Sequence, residues 1–244
     1  MTISIRSTGT YTSGTANLTP AIPAGATSGD MMICAYGTKP YGDAPTINNG
    51  WTSLGSATDG TVAAGVDVGS MQTRIFYKQH TGTESNPTVT NATNNVSGAV
   101  IIVFQKTEAG WAAIVGAGGG DNTAGTGFSV TASANPGITA GDMLVAYAAI
   151  RSDAGTQSAI GLTATGATIA AFTESPAADL ATTSGGDMAM SGGYAACTAG
   201  TATAAPVYAS TLAAAHTGSA YITRLREVVV SFAFNNTLPL TGAG

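Results

Sequence analysis

Two related stretches constrain the fold most. Gly29-Asp30-Met31-Met32-Ile33-Cys34-Ala35-Tyr36 recurs as Gly141-Asp142-Met143-Leu144-Val145-Ala146-Tyr147. A proline precedes each by a few residues, Pro23 in the first copy and Pro136 in the second. A tight corner followed by a run that is apolar on both faces reads as a buried strand. In the first copy Met31, Ile33 and Ala35 face one way and Met32, Cys34 and Tyr36 the other. No charge follows Asp30 until Lys39.

The surroundings of these strands repeat as well. Met188 to Tyr194 echoes Met71 to Tyr77, Pro206-Val207-Tyr208 stands where Pro87-Thr88-Val89 stood, and Val228 to Phe234 matches Val100 to Phe104. Trp51 has no counterpart in the second half, and Gly161 to Ser175 has no clear match. Helical signals are almost absent. The Ala-rich stretches 176–182 and 209–216 amount to single helical turns at most, because Thr, Ser and Gly interrupt them. Ile3 and Ile5 open a first strand, and Asn48-Asn49-Gly50 supplies a turn that accepts positive φ before Trp51. Residues 55–69 read as a long surface loop.

Many short strands separated by Gly, Pro and Asn turns make an all-β chain. The expected architecture is a jelly-roll-like antiparallel β-sandwich built from two pseudo-repeated halves, about 1–110 and 111–244. The halves could be two sandwiches in tandem or two layers of one. The junction Gly116-Ala117-Gly118-Gly119-Gly120-Asp121-Asn122, read as a turn, lacks the long polar linker of independent domains. That favours a single domain spanning residues 1–244.

Composition narrows the class. Charged residues make up 9% of 244, against roughly 25% in an average soluble domain. Hydrophobic residues reach 44% with a net charge of -5, which is not the pattern of disorder. No apolar run reaches the length of about 18 residues that a membrane helix needs, and the N-terminus shows no stretch of signal-peptide length. A pI near 4.7 and scattered basic residues disfavour nucleic acid. So few charges suit a surface packed against neighbours in an assembly. Cys34 and Cys197 read as free buried thiols, since two distant cysteines make neither a framework nor a metal pair.

No catalytic constellation emerges. His80 and His216 each precede Thr-Gly and read as surface-loop residues without a metal-ligating neighbour. Asp30 and Asp142 could face each other as glycosidase carboxylates. An Asp before a strand is ordinarily a turn former, however, and its recurrence favours the structural role. The glycine run lacks the Gly-Lys-Ser/Thr ending of a phosphate loop. Asn17, Asn91, Asn95 and Asn235 fit the glycosylation pattern, which arises freely in so Thr-rich a chain. The reading is therefore of no catalytic, metal or cofactor residues. Tyr41 and Trp51 are the candidates for glycan or partner contact, with Trp111 beside them. Tyr41, between Pro40 and Gly42, reads as the more exposed, whereas Trp51 can equally plug the end of the core.

The sequence Ile22-Pro23-Ala24-Gly25-Ala26, then Gly29-Asp30-Met31-Met32, then Gly50-Trp51-Thr52, Phe76-Tyr77-Lys78 and Pro87-Thr88-Val89-Thr90 resembles β-sandwich structural proteins of tailed bacteriophages. The resemblance covers residues 20 to 105 and reaches the remainder only through the half-repeat. It implies a non-enzymatic, homo-oligomeric component of the virion, assembled in the host cytoplasm against major capsid or tail proteins. Capsid decoration is the leading expectation, and a tail-associated receptor- or carbohydrate-binding module is the alternative.

Overall fold

A computed structural model describes residues 3–40, 44–59, 70–90, 96–108, 110–152, 156–176, 180–182 and 187–228. The first half contributes β1 (Ser4–Thr8), β2 (Thr12–Gly14), β3 (Met31–Lys39), β4 (Thr46–Ile47), β5 (Thr52–Thr58), β6 (Gln72–Gln79), β7 (Val89–Thr90) and β8 (Val96–Gln105). After β9 (Gly110–Trp111) the second half contributes β10 (Val115–Thr131), β11 (Met143–Ile150), β12 (Gln157–Thr163), β13 (Ala167–Ile169), β14 (Thr173–Glu174), β15 (Leu180–Thr182), β16 (Met188–Gly200), β17 (Val207–Leu225) and β18 (Glu227–Val228). The fold is an all-β antiparallel sandwich, with no helix among the described residues.

Each half builds one main sheet, and the two sheets follow the same path. The first runs β1-β8-β3-β6-β5 and the second β10-β17-β11-β16, with β13, β14 and β15 beyond β16. The strand after the corner thus lies at the centre, between the half's last strand and its penultimate long one. That interleaving of early and late strands is the crossing path of jelly rolls. Register fixes the equivalence residue by residue. Met31 pairs with Phe104 and Gln79, while Met143 pairs with Leu225 and Ala196. Tyr77 therefore corresponds to Tyr194, as the sequence echo indicates.

The same register corrects two sequence matches. The counterpart of Val100 to Phe104 is Tyr221 to Leu225, not Val228 to Phe234; Val228 instead pairs with Gly110 in a two-stranded ribbon. Residues 229–234 lie outside the described residues. Trp51 does have an aromatic counterpart, Phe172, because Thr52 pairs with Tyr77 as Thr173 pairs with Tyr194. The Ala-rich stretch 209–216 is strand, not a helical turn, since it lies within β17 and is held by pairing to β10 and β12. Residues 55–58, read as loop, continue β5.

The two sheets pack face to face. One core joins Met31, Ile33, Ala35, Ile75, Val100 and Phe104 of the first half to Met143, Val145, Tyr147, Met188, Met190 and Tyr221 of the second. β5 lies against β10 and β17, β6 against β17 and β11, β3 against β11 and β16, and β8 against β16 and β15. Exchange of the halves maps these neighbours onto one another, except for β5 against β10, which has no counterpart among them. The halves thus meet as the subunits of a two-fold dimer meet, through the same surface on each. The outer face of each sheet is covered from its own half. Leu18, Trp51 and Val89 close over Met32, Cys34 and Tyr36, and Phe128, Leu162 and Tyr208 close over Leu144, Ala146 and Ala148.

The glycine run is where the halves come closest, and it is strand rather than turn. Gly116, Gly118 and Gly120 alternate along β10 on the face toward β5. A Cβ on Gly118 would lie 2.7 Å from the Ala57 Cβ, and one on Gly120 would lie 2.3 Å from the Thr58 carbonyl oxygen. Only glycine admits this approach. Gly120→Ala is expected to cost about 1–3 kcal/mol through overpacking. Gly127→Ala, at an exposed position with nothing near its Cβ, should stay within about 0.5 kcal/mol of the parent. Urea denaturation of both variants measures the difference.

Candidate functional site

The duplicated corner is a densely hydrogen-bonded polar feature. Gly25 and Gly29 in one half, and Gly137 and Gly141 in the other, adopt φ of 89°, 96°, 73° and 93°, a region that disfavours side chains. The chain then folds back on itself. Thr27 N donates to Asp30 Oδ2 at 2.8 Å, and Thr139 N donates to Asp142 Oδ2 at 2.7 Å. Each carboxylate also meets an arginine Nε at 2.6 Å, Arg6 for Asp30 and Arg226 for Asp142. The arginines come from different places. Arg6 is the extra residue of a bulge between Ile5 and Ser7, and Arg226 follows the end of β17. Asp30 and Asp142 are therefore each engaged in their own corner, in the turn-forming role that their recurrence suggests.

His80 belongs to the same corner. Gly29 N donates to the His80 carbonyl and His80 N to the Asp30 carbonyl, just as Gly141 and Cys197 pair around Asp142. The backbone, not the side chain, makes this contact, so a histidine and a cysteine can occupy equivalent places. His80 is only 7% exposed, and its Nδ1 accepts from Gly82 N at 3.0 Å. It is a buried turn residue rather than a surface one. His216, by contrast, is not in a turn; it lies in β17 opposite Gly125. Cys34 and Cys197 are both buried free thiols. Burial pushes the Cys34 thiol up to about 12, which suppresses thiolate chemistry.

A second polar group ties the halves together at one end of the interface. Asp59 accepts from Met71 N and from the Thr217 hydroxyl, both at 2.5 Å, with Arg151 at 3.9 Å. Burial raises the Asp59 carboxyl above its usual range despite these donors. Lys39 reaches across to the carbonyls of Arg151 and Asp187 at 2.8 and 2.9 Å. Thr73 bonds Ser219 at 2.9 Å. Most of these groups find partners in one another, as buried polar groups ordinarily do, while the Arg151 Nε is left without one.

Of the sequence candidates for outward contact, Tyr41 lies outside the described residues. Trp51 is 7% exposed and packs on Phe76 and Met32, so it offers no open stacking platform. Trp111 is half-buried, donates to the Gly29 carbonyl at 2.8 Å and lies 6.0 Å from the Lys106 ammonium. Trp51 does line a depression of about 230 Å³ with Pro45, Ile47, Ser53, Arg74 and Phe76. Sequence reasoning missed Arg74. The available signal was a lone guanidinium within the alternating strand 71–78, on the same face as Phe76. Among the described residues, no three His, Cys, Asp or Glu side chains converge as a metal site would require.

Fold and corners define a duplicated antiparallel β-sandwich whose ion pairs brace its turns. No protein-family model, curated protein or solved structure matches the chain.

The turn that carries Trp51 generates a pH prediction. Glu84 Oε2 receives Lys78 Nζ at 2.5 Å, Lys78 also donates to the Asn49 carbonyl, and Thr81 donates twice to Glu84 Oε1. Burial pushes the Glu84 carboxyl up, but the Lys78 and Thr81 hydrogen bonds prevail and hold it at about 2, below the ordinary 4.5. A carboxyl lowered in the folded state stabilises above its unfolded value, and that stability disappears as pH falls through the folded one. Stability attributable to Glu84 is therefore lost between about pH 4.5 and 2. Glu84→Gln should flatten that part of the acid-denaturation profile relative to the parent; parallel profiles would contradict the assignment.

Proposed function

We propose that the chain is a non-enzymatic structural protein of a tailed-bacteriophage particle, most consistent with a homo-oligomeric decoration or cement protein on the capsid surface. The observation that carries the reading is how the charges are used. Arg6–Asp30, Arg226–Asp142 and Lys78–Glu84 each tie down a turn, and Lys39, Asp59 and Arg151 join the halves. These groups are spent on rigidity, which suits a part that must hold its shape in a particle. Among the described residues, much of the outer surface is left to Thr, Ser, Ala and Gly, and Val228 is the large apolar side chain that stands exposed. Such a surface recognises neighbours through shape and backbone groups. The bulged strand β1 is an outer strand of its sheet, and edges of this kind pair with other chains when left uncovered.

A tail-associated receptor- or carbohydrate-binding module is the second reading, favoured by the depression at Trp51 and Arg74. Two measurements separate the readings. Cryo-electron microscopy of particles with and without the gene should show density lost at a regular position on the capsid, surrounded by major capsid protein. Light scattering of the isolated protein should give a discrete homo-oligomer. Density lost only at the tail tip would favour the second reading, and particles unchanged at head and tail would refute both.

A further inference from the structure

Arg74 sets the depression apart. Its Nη1 and Nη2 donate to the Ser53 and Ser56 hydroxyls at 3.1 and 3.4 Å, and its guanidinium lies 5.9 Å from the Phe76 ring centroid. Its Nε is buried with no acceptor. Arg6, Lys78, Arg151 and Arg226 each face a carboxylate, and Lys39 and the Nη atoms of Arg224 donate to backbone carbonyls, although the Nε atoms of Arg151 and Arg224 are, like that of Arg74, buried without an acceptor. Among the described residues, Arg74 has only neutral hydroxyls as hydrogen-bond partners. A partly buried cation without an anion is costly, and such groups are ordinarily paired. Beside it, the Nε1–H of Trp51 is also a buried donor without an acceptor. Arg74 and Trp51, each holding one buried donor without an acceptor, both line one depression.

Comparison of the halves isolates the feature. By register, Arg74 corresponds to Ser191, Phe76 to Gly193, Ser53 to Glu174 and Trp51 to Phe172. The second half thus has an acid where the first has serine and no base where the first has Arg74. The place of the Phe76 side chain is also closed there. A Cβ on Gly193 would lie 2.0 Å from the Thr173 carbonyl oxygen of β14. The two halves share a backbone path but the second has Ser191 in place of the cation, so the duplicated fold itself does not require it.

We propose that this depression binds a ring-bearing organic carboxylate. The carboxylate accepts from Arg74 and Trp51, and the ring rests on Ile47, Pro45 and the aromatic edges. A volume of about 230 Å³ lies below the roughly 300–1,000 Å³ of drug-sized pockets and suits a single ring. The carboxylate could be that of a free aromatic acid or of a uronic acid unit in a polysaccharide, and the probes distinguish these. The proposal deepens the carbohydrate-binding reading but is measured on the isolated protein, so it can fail without bearing on where the chain sits in a particle.

The chain has two tryptophans, so the indole N–H signals of nitrogen-labelled protein report directly. The Trp111 signal, whose N–H already donates to Gly29, serves as the internal reference. Titration with glucuronate and with benzoate should shift the Trp51 signal saturably for at least one of them, whereas glucose and acetate should leave it in place. Arg74→Gln should weaken that binding at least about tenfold, as expected for loss of a charge-assisted hydrogen bond, with the unfolding midpoint of the variant checked alongside. Should that variant fail to fold, Trp51→Phe tests the same claim by intensity of saturation transfer to the ligand. Saturable shifts with glucuronate alone assign a saccharide site, and shifts with benzoate alone an aromatic-acid site. An unmoved Trp51 signal with both acids, equal shifts with glucose, or undiminished binding by the folded Arg74→Gln variant would overturn the proposal.

Discussion

The structure depends on the burial of β3 and β11 on both faces. Every residue of each is buried, so neither strand can belong to a surface sheet. One face of each meets the other strand's sheet, and the other face needs a cover from its own half. Antiparallel sheets ordinarily leave one face to solvent; here Met32, Cys34 and the Tyr36 ring form a second largely apolar face that is buried like that of Met31, Ile33 and Ala35. The shared core and the two outer cores follow from this requirement. With charges so scarce, apolar burial must supply most of the stabilisation.

The symmetry between halves is a consequence of how such a core can be closed. Two copies of one sheet bury their equivalent faces most economically by meeting about a two-fold axis. At that contact the neighbouring strands must approach without side chains in the way. Gly116, Gly118 and Gly120 meet Leu54, Ala57 and Thr58 there. The corner motif was retained in both halves, while its arginine was supplied once by a bulge and once by a strand end. A buried carboxylate in a corner needs a partner, and the chain met that need by two routes.

Much of this was legible in residue order. The Gly-Asp corners, the double-faced strands and the equivalence of Met71–Tyr77 with Met188–Tyr194 follow from local pattern alone. The last strand of the second half was not. Thr223 and Arg224 interrupt the apolar run of Tyr221 to Leu225, and the more hydrophobic Val228 to Phe234 masked it. Arg224 is tolerated there because the carbonyls of Pro136, Gly137 and Ala113 take its Nη donors, a tertiary compensation that sequence does not display. The glycine run read as a turn for the same reason, because its cause is the strand facing it from the other half. At the candidate site, Trp51 was recognisable as an aromatic after a turn. The significance of Arg74 appeared only when its partners could be compared with those of the other cations.

The central claim is that the two halves are one body joined through their sheets. Differential scanning calorimetry of the intact chain tests it most directly. A shared core predicts one endotherm whose calorimetric and van't Hoff enthalpies agree. Two resolved transitions, or a calorimetric enthalpy near twice the van't Hoff value, would show that the halves melt separately and would contradict the account.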